Sequence, residues 1–90
     1  MDKNKILIVD DDSNICELLR LHLVKEGFDT IISYDGEDAV NKFRTEEPDL
    51  IILDLMLPKK DGIEVCKEIR KESNIPIIML TAKSDTFDKV

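Results

Sequence analysis

The stretch Leu50-Ile51-Ile52-Leu53-Asp54-Leu55-Met56-Leu57-Pro58 decides how this chain is read. Four apolar residues run straight into an aspartate, and three more with a proline follow it. A short unbroken apolar run bounded by breakers reads as a strand buried on both faces. Pro48-Asp49 marks its start and Pro58 closes the segment. An aspartate is costly to bury without a partner. Asp54 is therefore expected at the mouth of the fold, outside the carboxyl end of its strand, where ligands collect in open α/β sheets.

Working outward, residues 5–9 (KILIV) form a second β-branched apolar run that also ends in acids, Asp10-Asp11-Asp12. Ser13 then offers a helix cap, with Glu17 in the first turns where negative charge is favoured. Ile15, Leu18, Leu19, His22 and Leu23 recur at helical spacing as an apolar face, with His22 read as a packing residue because no second ligand stands one turn away. Gly27 is a natural stop, and Phe28 supplies the apolar contact of a Schellman-type ending. Residues 28–34 (FDTIISY) read as a shorter, more polar strand at an edge. Asp35-Gly36 is a turn signal before a helix over residues 37–46, with Ala39, Val40 and Phe43 inward and Glu47-Pro48 as its end. After the central stretch, Asp61 caps a helix whose apolar side is Ile63, Val65, Cys66 and Ile69. Residues 75–80 (IPIIML) give the last strand, leading into Thr81-Ala82, and Ser84 caps the start of a fourth helix that Val90 leaves about two turns long. The order β-α-β-α-β-α-β-(α) predicts one α/β domain over residues 1–90. It has a parallel sheet, right-handed crossovers, and apolar first, third and fourth strands covered on both faces.

The bulk numbers agree with a small domain. A chain of 90 residues with 42% hydrophobic content is globular, and it buries roughly 60–68% of its unfolded surface. No run of about 18 apolar residues and no basic, apolar leader opens the chain, so the expected location is the cytoplasm, away from the membrane. A net charge of −7 argues against direct nucleic-acid contact and suits a cation. Cys16 and Cys66 are too few and too far apart for a metal-ligand pattern, and read as two small buried side chains on helices.

Three strand ends carry polar groups: Asp10-Asp11-Asp12, Asp54 and Thr81. A parallel sheet puts all three on one side, and neighbouring first and third strands would share one crevice between their acids. Carboxylates about 4 Å apart repel by roughly 4 kcal/mol at an effective dielectric of ~20, which a proton or a cation must relieve. An acid-rich, all-oxygen site open to water suits Mg²⁺, which takes one or two carboxylates plus waters and phosphate oxygens. Such an ion would neutralise the acids and stabilise a phosphoryl group in transfer. Asp54 is then the candidate nucleophile, and the Thr81 hydroxyl a donor to a phosphate oxygen. Each piece has a plainer explanation. The three acids after the first run favour a helix N-terminus, and Thr81 suits a strand end. Their coincidence at three strand ends supports the joint reading.

These residues carry a resemblance. KILIVDDD, PDLIILDLMLPKKDG and IPIIMLTAKS together resemble the receiver (CheY-like) domain of a two-component response regulator, over nearly the whole chain. LMLP after the aspartate, then KKDG and TAKSD, resemble most the OmpR/PhoB-type transcriptional regulators. The resemblance implies a flavodoxin-like doubly wound parallel sheet, incomplete, with four strands in the order 2-1-3-4, three helices and the start of a fourth. It implies that Asp11, Asp54 and the Met56 backbone carbonyl bind Mg²⁺, with Asp10 acting through water. It implies that Asp54 accepts a phosphoryl group from a sensor histidine kinase, that Thr81 is the switch hydroxyl, and that Met56 and Lys83 tune the lifetime of the phosphate. The module would catalyse its own phosphorylation without being a dedicated enzyme, and would signal by conformational change to a DNA-binding output domain.

Family receivers have five strands and five helices, so on this resemblance the chain is a receiver cut before its fifth strand, without that strand's lysine, the switch aromatic or the output domain. Lys59, Lys60 and Lys83 lie near in sequence and read as solvated loop charges. The fourth strand would become an apolar edge, giving a fragment that is partly unfolded or that associates along that edge. Three other readings compete with it. A haloacid-type aspartyl phosphotransferase would carry its nucleophile after the first strand. A flavodoxin-like flavin binder would have a phosphate loop rich in Ser, Thr and Gly in place of DDDS. An incomplete receiver would bind metal or partners without efficient phosphorylation.

Overall fold

A computed structural model describes residues 4–80 of the chain. Thr81, Lys83 and the helix start at Ser84 lie outside the described residues. The elements are β1 (Lys5–Val9), α1 (Ser13–Lys25), β2 (Asp29–Ser33), α2 (Gly36–Glu46), β3 (Leu50–Asp54), α3 (Gly62–Arg70) and β4 (Ile77–Leu80). The four strands form one parallel sheet in the order β2-β1-β3-β4. This is the flavodoxin-like α/β order that the receiver resemblance implies, and the parallel sheet is the one expected from the alternation of elements.

Period-two alternation along the strands divides the core in two. Leu7, Val9, Ile51 and Leu53 face one way and pack with Ala39 and Val40 of α2, Val65 and Ile69 of α3, and Ile75. Ile6, Ile8 and Ile52 face the other way and pack with Cys16, Leu19 and Leu23 of α1 and with Phe28. Leu7, Ile8, Ile51 and Leu53 are fully buried, and each such side chain contributes about 2 kcal/mol of hydrophobic stabilisation. With both faces of β1 and β3 apolar, a carboxylate has a place only where the strands stop. At the opposite end, Asp49 anchors β3 to β1: its amide donates to the Lys5 carbonyl at 2.7 Å, and its carboxylate accepts from the Lys5 amide at 2.8 Å.

Several local expectations are corrected. The cap of α1 is Asp12, whose Oδ1 accepts from the amides of Asn14 (2.9 Å) and Ile15 (3.4 Å); Ser13 is the first helical residue. The buried side of α1 runs through Cys16, Leu19 and Leu23, whereas Leu18 is 69% exposed, and Ile15 and His22 also face solvent. Ile15 and Leu18 imitate a core face by their spacing, but the helix turns Cys16, Leu19 and Leu23 to the sheet. β2 spans Asp29–Ser33, since Phe28 belongs to the end of α1 and Tyr34 to the turn before α2. In α3 the core side is Val65 and Ile69; Ile63 is exposed and Cys66 half-buried. β4 begins at Ile77, because Pro76 has no amide to give the ladder. Ile78, the register partner of Ile52, is half exposed, so β4 is not covered on both faces by the described residues.

The end of α1 follows the Schellman pattern in full. The Gly27 amide donates to the Val24 carbonyl and the Phe28 amide to the Leu23 carbonyl, both at 3.0 Å, with Gly27 at φ +99°. A Cβ on Gly27 would meet nothing within 4 Å, so an added methyl is penalised by the backbone conformation alone. Gly27→Ala should therefore lower the unfolding free energy by about 1 kcal/mol with an unchanged slope in urea denaturation.

Candidate metal and phosphoryl-acceptor site

Adjacent parallel strands carry the acids into one place. Val9 of β1 is the register partner of Leu53 in β3, so the next residues, Asp10 and Asp54, emerge side by side. Carboxylate oxygens of Asp10, Asp11 and Asp54 all lie within 4.8 Å of one another. Asp10 is buried, Asp54 half-buried and Asp11 exposed, so the cluster opens to water on the Asp11 side.

Each carboxylate is held by its surroundings. The Asp10 amide donates to the Ser33 carbonyl at 3.1 Å, tying the end of β1 to β2. Asp10 Oδ1 accepts from the Asp12 amide at 2.9 Å, and the Asp10 main-chain carbonyl accepts from Cys16 Sγ at 3.3 Å. Asp54 Oδ1 accepts from the Met56 amide at 3.4 Å, and the Leu55 amide donates to the Leu80 carbonyl of β4 at 3.3 Å. Of the three consecutive aspartates, two join the cluster and the third caps α1, so the plainer explanation is correct for Asp12 alone. Met56 is exposed two residues past Asp54, on the same rim. The neighbouring lysines are engaged elsewhere. Lys60 Nζ pairs with Glu68 at 3.0 Å, and Lys59 Nζ stands 4.0 Å from Asp35.

Burial raises the Asp10 carboxyl above the usual carboxylate range, and the charges of Asp54, Asp11 and Asp12 push the same way against the Asp12 amide hydrogen bond. The Cys16 thiol is pushed up to about 11 by burial and by Asp10, so it stays a protonated donor to the Asp10 carbonyl. Asp10 and Asp54 repel by roughly 3–4 kcal/mol at an effective dielectric of ~20. The donor set fits a hard divalent cation. Three carboxylates with oxygens within 4.8 Å of one another offer the hard oxygen donors that Mg²⁺ takes. The exposed side leaves room for waters or phosphate oxygens.

One contributor was not legible as such. Gly62, the first residue of α3, packs under the acceptor: its amide donates to the Leu55 carbonyl at 2.8 Å, and a Cβ there would strike the Asp54 carbonyl and lie 2.8 Å from Leu55 Cα. Asp61-Gly62 in the sequence signals a turn and a cap, and Asp61 does cap α3 through the Glu64 amide at 3.0 Å. The approach of α3 to the backbone of Asp54 depends on three-dimensional packing and leaves no such signal.

Two outcomes follow from this geometry. Because the folded carboxyl of Asp10 holds its proton more tightly than the unfolded one, stability without divalent ions should fall as pH rises from about 4 through the raised value. Asp10→Asn, which keeps an acceptor for the Asp12 amide, should then stabilise the ion-free protein at pH 7 by about 1 kcal/mol or more, read by thermal unfolding in chelator. Gly62→Ala should cost about 2 kcal/mol in urea denaturation, twice the Gly27→Ala effect, because main-chain atoms must move.

Residues 6–90 match the family model described as the response regulator receiver domain. TrrA, a response regulator from Thermotoga maritima solved in complex with Mg²⁺ and a beryllium fluoride, is 42% identical, with a TM-score of 0.84 over 97% of this chain and 76% of that one. The receiver domain of Francisella response regulator 1452 is 35% identical, with a TM-score of 0.86 over 97% of this chain and 73% of that one. The beryllium-fluoride-activated receiver domain of Klebsiella pneumoniae RstA is 38% identical, with a TM-score of 0.85 over 93% of this chain and 73% of that one. Strand order, the acids at the ends of β1 and β3, and a family match over nearly the whole sequence agree: the chain belongs to the response regulator receiver domain family of two-component signalling.

Proposed function

We propose that this domain takes a phosphoryl group on Asp54 from a sensor histidine kinase and passes the signal on by a change of shape. The observation that carries this reading is the convergence of Asp10, Asp11 and Asp54 at the ends of two adjacent strands. Receiver domains are signalling modules, and no dedicated enzymatic activity is assigned.

In the proposed step an oxygen of Asp54 attacks phosphorus, the phosphorus–nitrogen bond of the kinase phosphohistidine breaks, and its electron pair returns to the imidazole. Asp11 and Asp54, with the Met56 carbonyl, would hold Mg²⁺ directly and Asp10 through water; when bound, the ion supplies charge to the transferring phosphoryl oxygens. The Met56 amide restrains one Asp54 oxygen, which leaves the other free to attack. Burial of Asp10 on one side and exposure of Asp11 on the other admit the donor from the Asp11 side. Thr81 would supply its hydroxyl to the phosphate. We place the domain in the cytoplasm, with an OmpR/PhoB-type DNA-binding output domain as the responder and no nucleic-acid contact by this segment itself. RstA, among the relatives, supports that subfamily.

β4 pairs only with β3 among the described residues, and Ile78 is half exposed. These features support self-association of the 90-residue chain along β4. Sedimentation should show an apparent mass that rises with concentration; a folded monomer across a wide range contradicts it.

The acceptor reading is tested by incubating the chain with Mg²⁺ and acetyl phosphate and measuring its intact mass. One phosphoryl mass should be gained, and none by Asp54→Asn. Mg²⁺ binding without that gain would leave a metal-binding module that is not an efficient acceptor, and a gain that survives Asp54→Asn would contradict the assignment.

A further inference from the structure

The carboxyl end of β2 carries a polar cluster beside the acid site. Ser33, the last residue of this edge strand, is fully buried, an uncommon place for a hydroxyl. Its Oγ donates to Asp38 Oδ2 at 2.8 Å, and the Asp35 carbonyl lies 3.1 Å away. Lys42, one turn further along α2, pairs with the same Asp38 oxygen at 3.1 Å and donates to the Ile32 carbonyl at 2.7 Å. Asp38 and Lys42 thus grip the last two residues of β2, one by its side chain and the other by its main chain. Burial alone would raise the Asp38 carboxyl, but the Ser33 hydroxyl and the Lys42 ammonium outweigh it and hold the group below the usual range. Asp35 caps α2 by accepting from the Asp38 amide at 2.8 Å, so the gripping helix is itself fixed at that turn.

What the cluster grips is the acceptor for Asp10. The Asp10 amide donates to the Ser33 carbonyl, one step beyond the last β1–β2 register pair, Val9 and Ser33. Ends of edge strands open most readily, so this carbonyl is well placed only if something holds the end of β2. The other main-chain restraint on Asp10, the Cys16 thiol, comes from α1 on the opposite face of the sheet. We propose that Ser33, Asp38 and Lys42 are positioning residues for the divalent-ion site, clasping β2 to α2 so that the Ser33 carbonyl fixes the main chain of Asp10. The proposal rests on the Mg²⁺-dependent reading of the acid cluster. Its leverage comes from the tolerance of such sites, where groups must be held within about 0.5 Å.

The test is calorimetric titration of Mg²⁺, well below the melting transition, with hydrogen exchange of the Asp10 amide in the ion-free protein. Asp38→Ala should weaken Mg²⁺ binding about tenfold, the low end of what losing a supporting partner does to a metal site, and should speed Asp10 exchange. Asp38→Asn keeps an oxygen for the Ser33 hydroxyl and should recover most of the affinity. Arg44→Ala breaks the exposed pair between Arg44 of α2 and Glu72 in the turn after α3, and should leave both readouts unchanged. If Asp38→Ala does not fold, Lys42→Met removes the grip on Ile32 and should weaken binding in the same direction. Mg²⁺ affinity and Asp10 exchange at wild-type levels in both Asp38→Ala and Lys42→Met would overturn the proposal, as would an equal loss in Arg44→Ala. A wild-type chain that binds no Mg²⁺ would overturn the underlying reading and the proposal with it.

Discussion

Repulsion between carboxylates gathered at the ends of β1 and β3 is the constraint on which the rest of this structure turns. The register that sets Val9 beside Leu53 leaves Asp10 and Asp54 no choice but to emerge together, and Asp11 joins them. Roughly 3–4 kcal/mol of unfavourable energy between Asp10 and Asp54 is large against the 5–13 kcal/mol that holds a domain of about 90 residues together. The fold tolerates it because the strands beneath are fully apolar on both faces, and because the acids sit where water, a proton or a cation can reach them. Burial of Asp10, with the charges of Asp54, Asp11 and Asp12, raises its carboxyl above the usual range.

The elements around the cluster act as its supports. β2 gives the carbonyl that holds Asp10, α1 brings the Cys16 thiol to the other side of the same residue, and α3 presses its first residue, Gly62, against the backbone of Asp54. Residues 55–61 return from Asp54 to α3, and two main-chain bonds tie Leu55 to β4 and to α3. The residue next to Asp54 is thus joined by main-chain bonds to both β4 and α3. The TrrA and RstA relatives, each solved with beryllium fluoride, keep this architecture over more than nine-tenths of the present chain.

Much of this was legible in the sequence, for identifiable reasons. An apolar run closed by Asp54 has few alternatives, and KILIV running into three aspartates repeats the pattern, so two parallel strands ending in acids followed from periodicity, while the strand order that makes them neighbours came with the family resemblance. Where periodicity is ambiguous the reading slipped. Leu18 and Ile15 are spaced like a core face, yet α1 turns Cys16, Leu19 and Leu23 to the sheet. Asp12 and Ser13 are both good caps, and only the direction in which the chain leaves β1 selects Asp12. Ser33 and Asp38 look like ordinary polar residues of an edge strand and a helix, because their pairing joins separate elements. The contact of Gly62 with Asp54 is equally invisible to spacing.

The central claim is that one divalent ion is gripped at the ends of β1 and β3. Paramagnetic broadening by Mn²⁺ at substoichiometric levels tests it most directly, read residue by residue from amide resonances of the ¹⁵N-labelled chain. The account predicts saturable broadening centred on residues 10–12 and 54–56, extending to Ser33, and displaced by excess Mg²⁺. Broadening spread over the acidic surface without saturation, or centred on another group of acids, would contradict it.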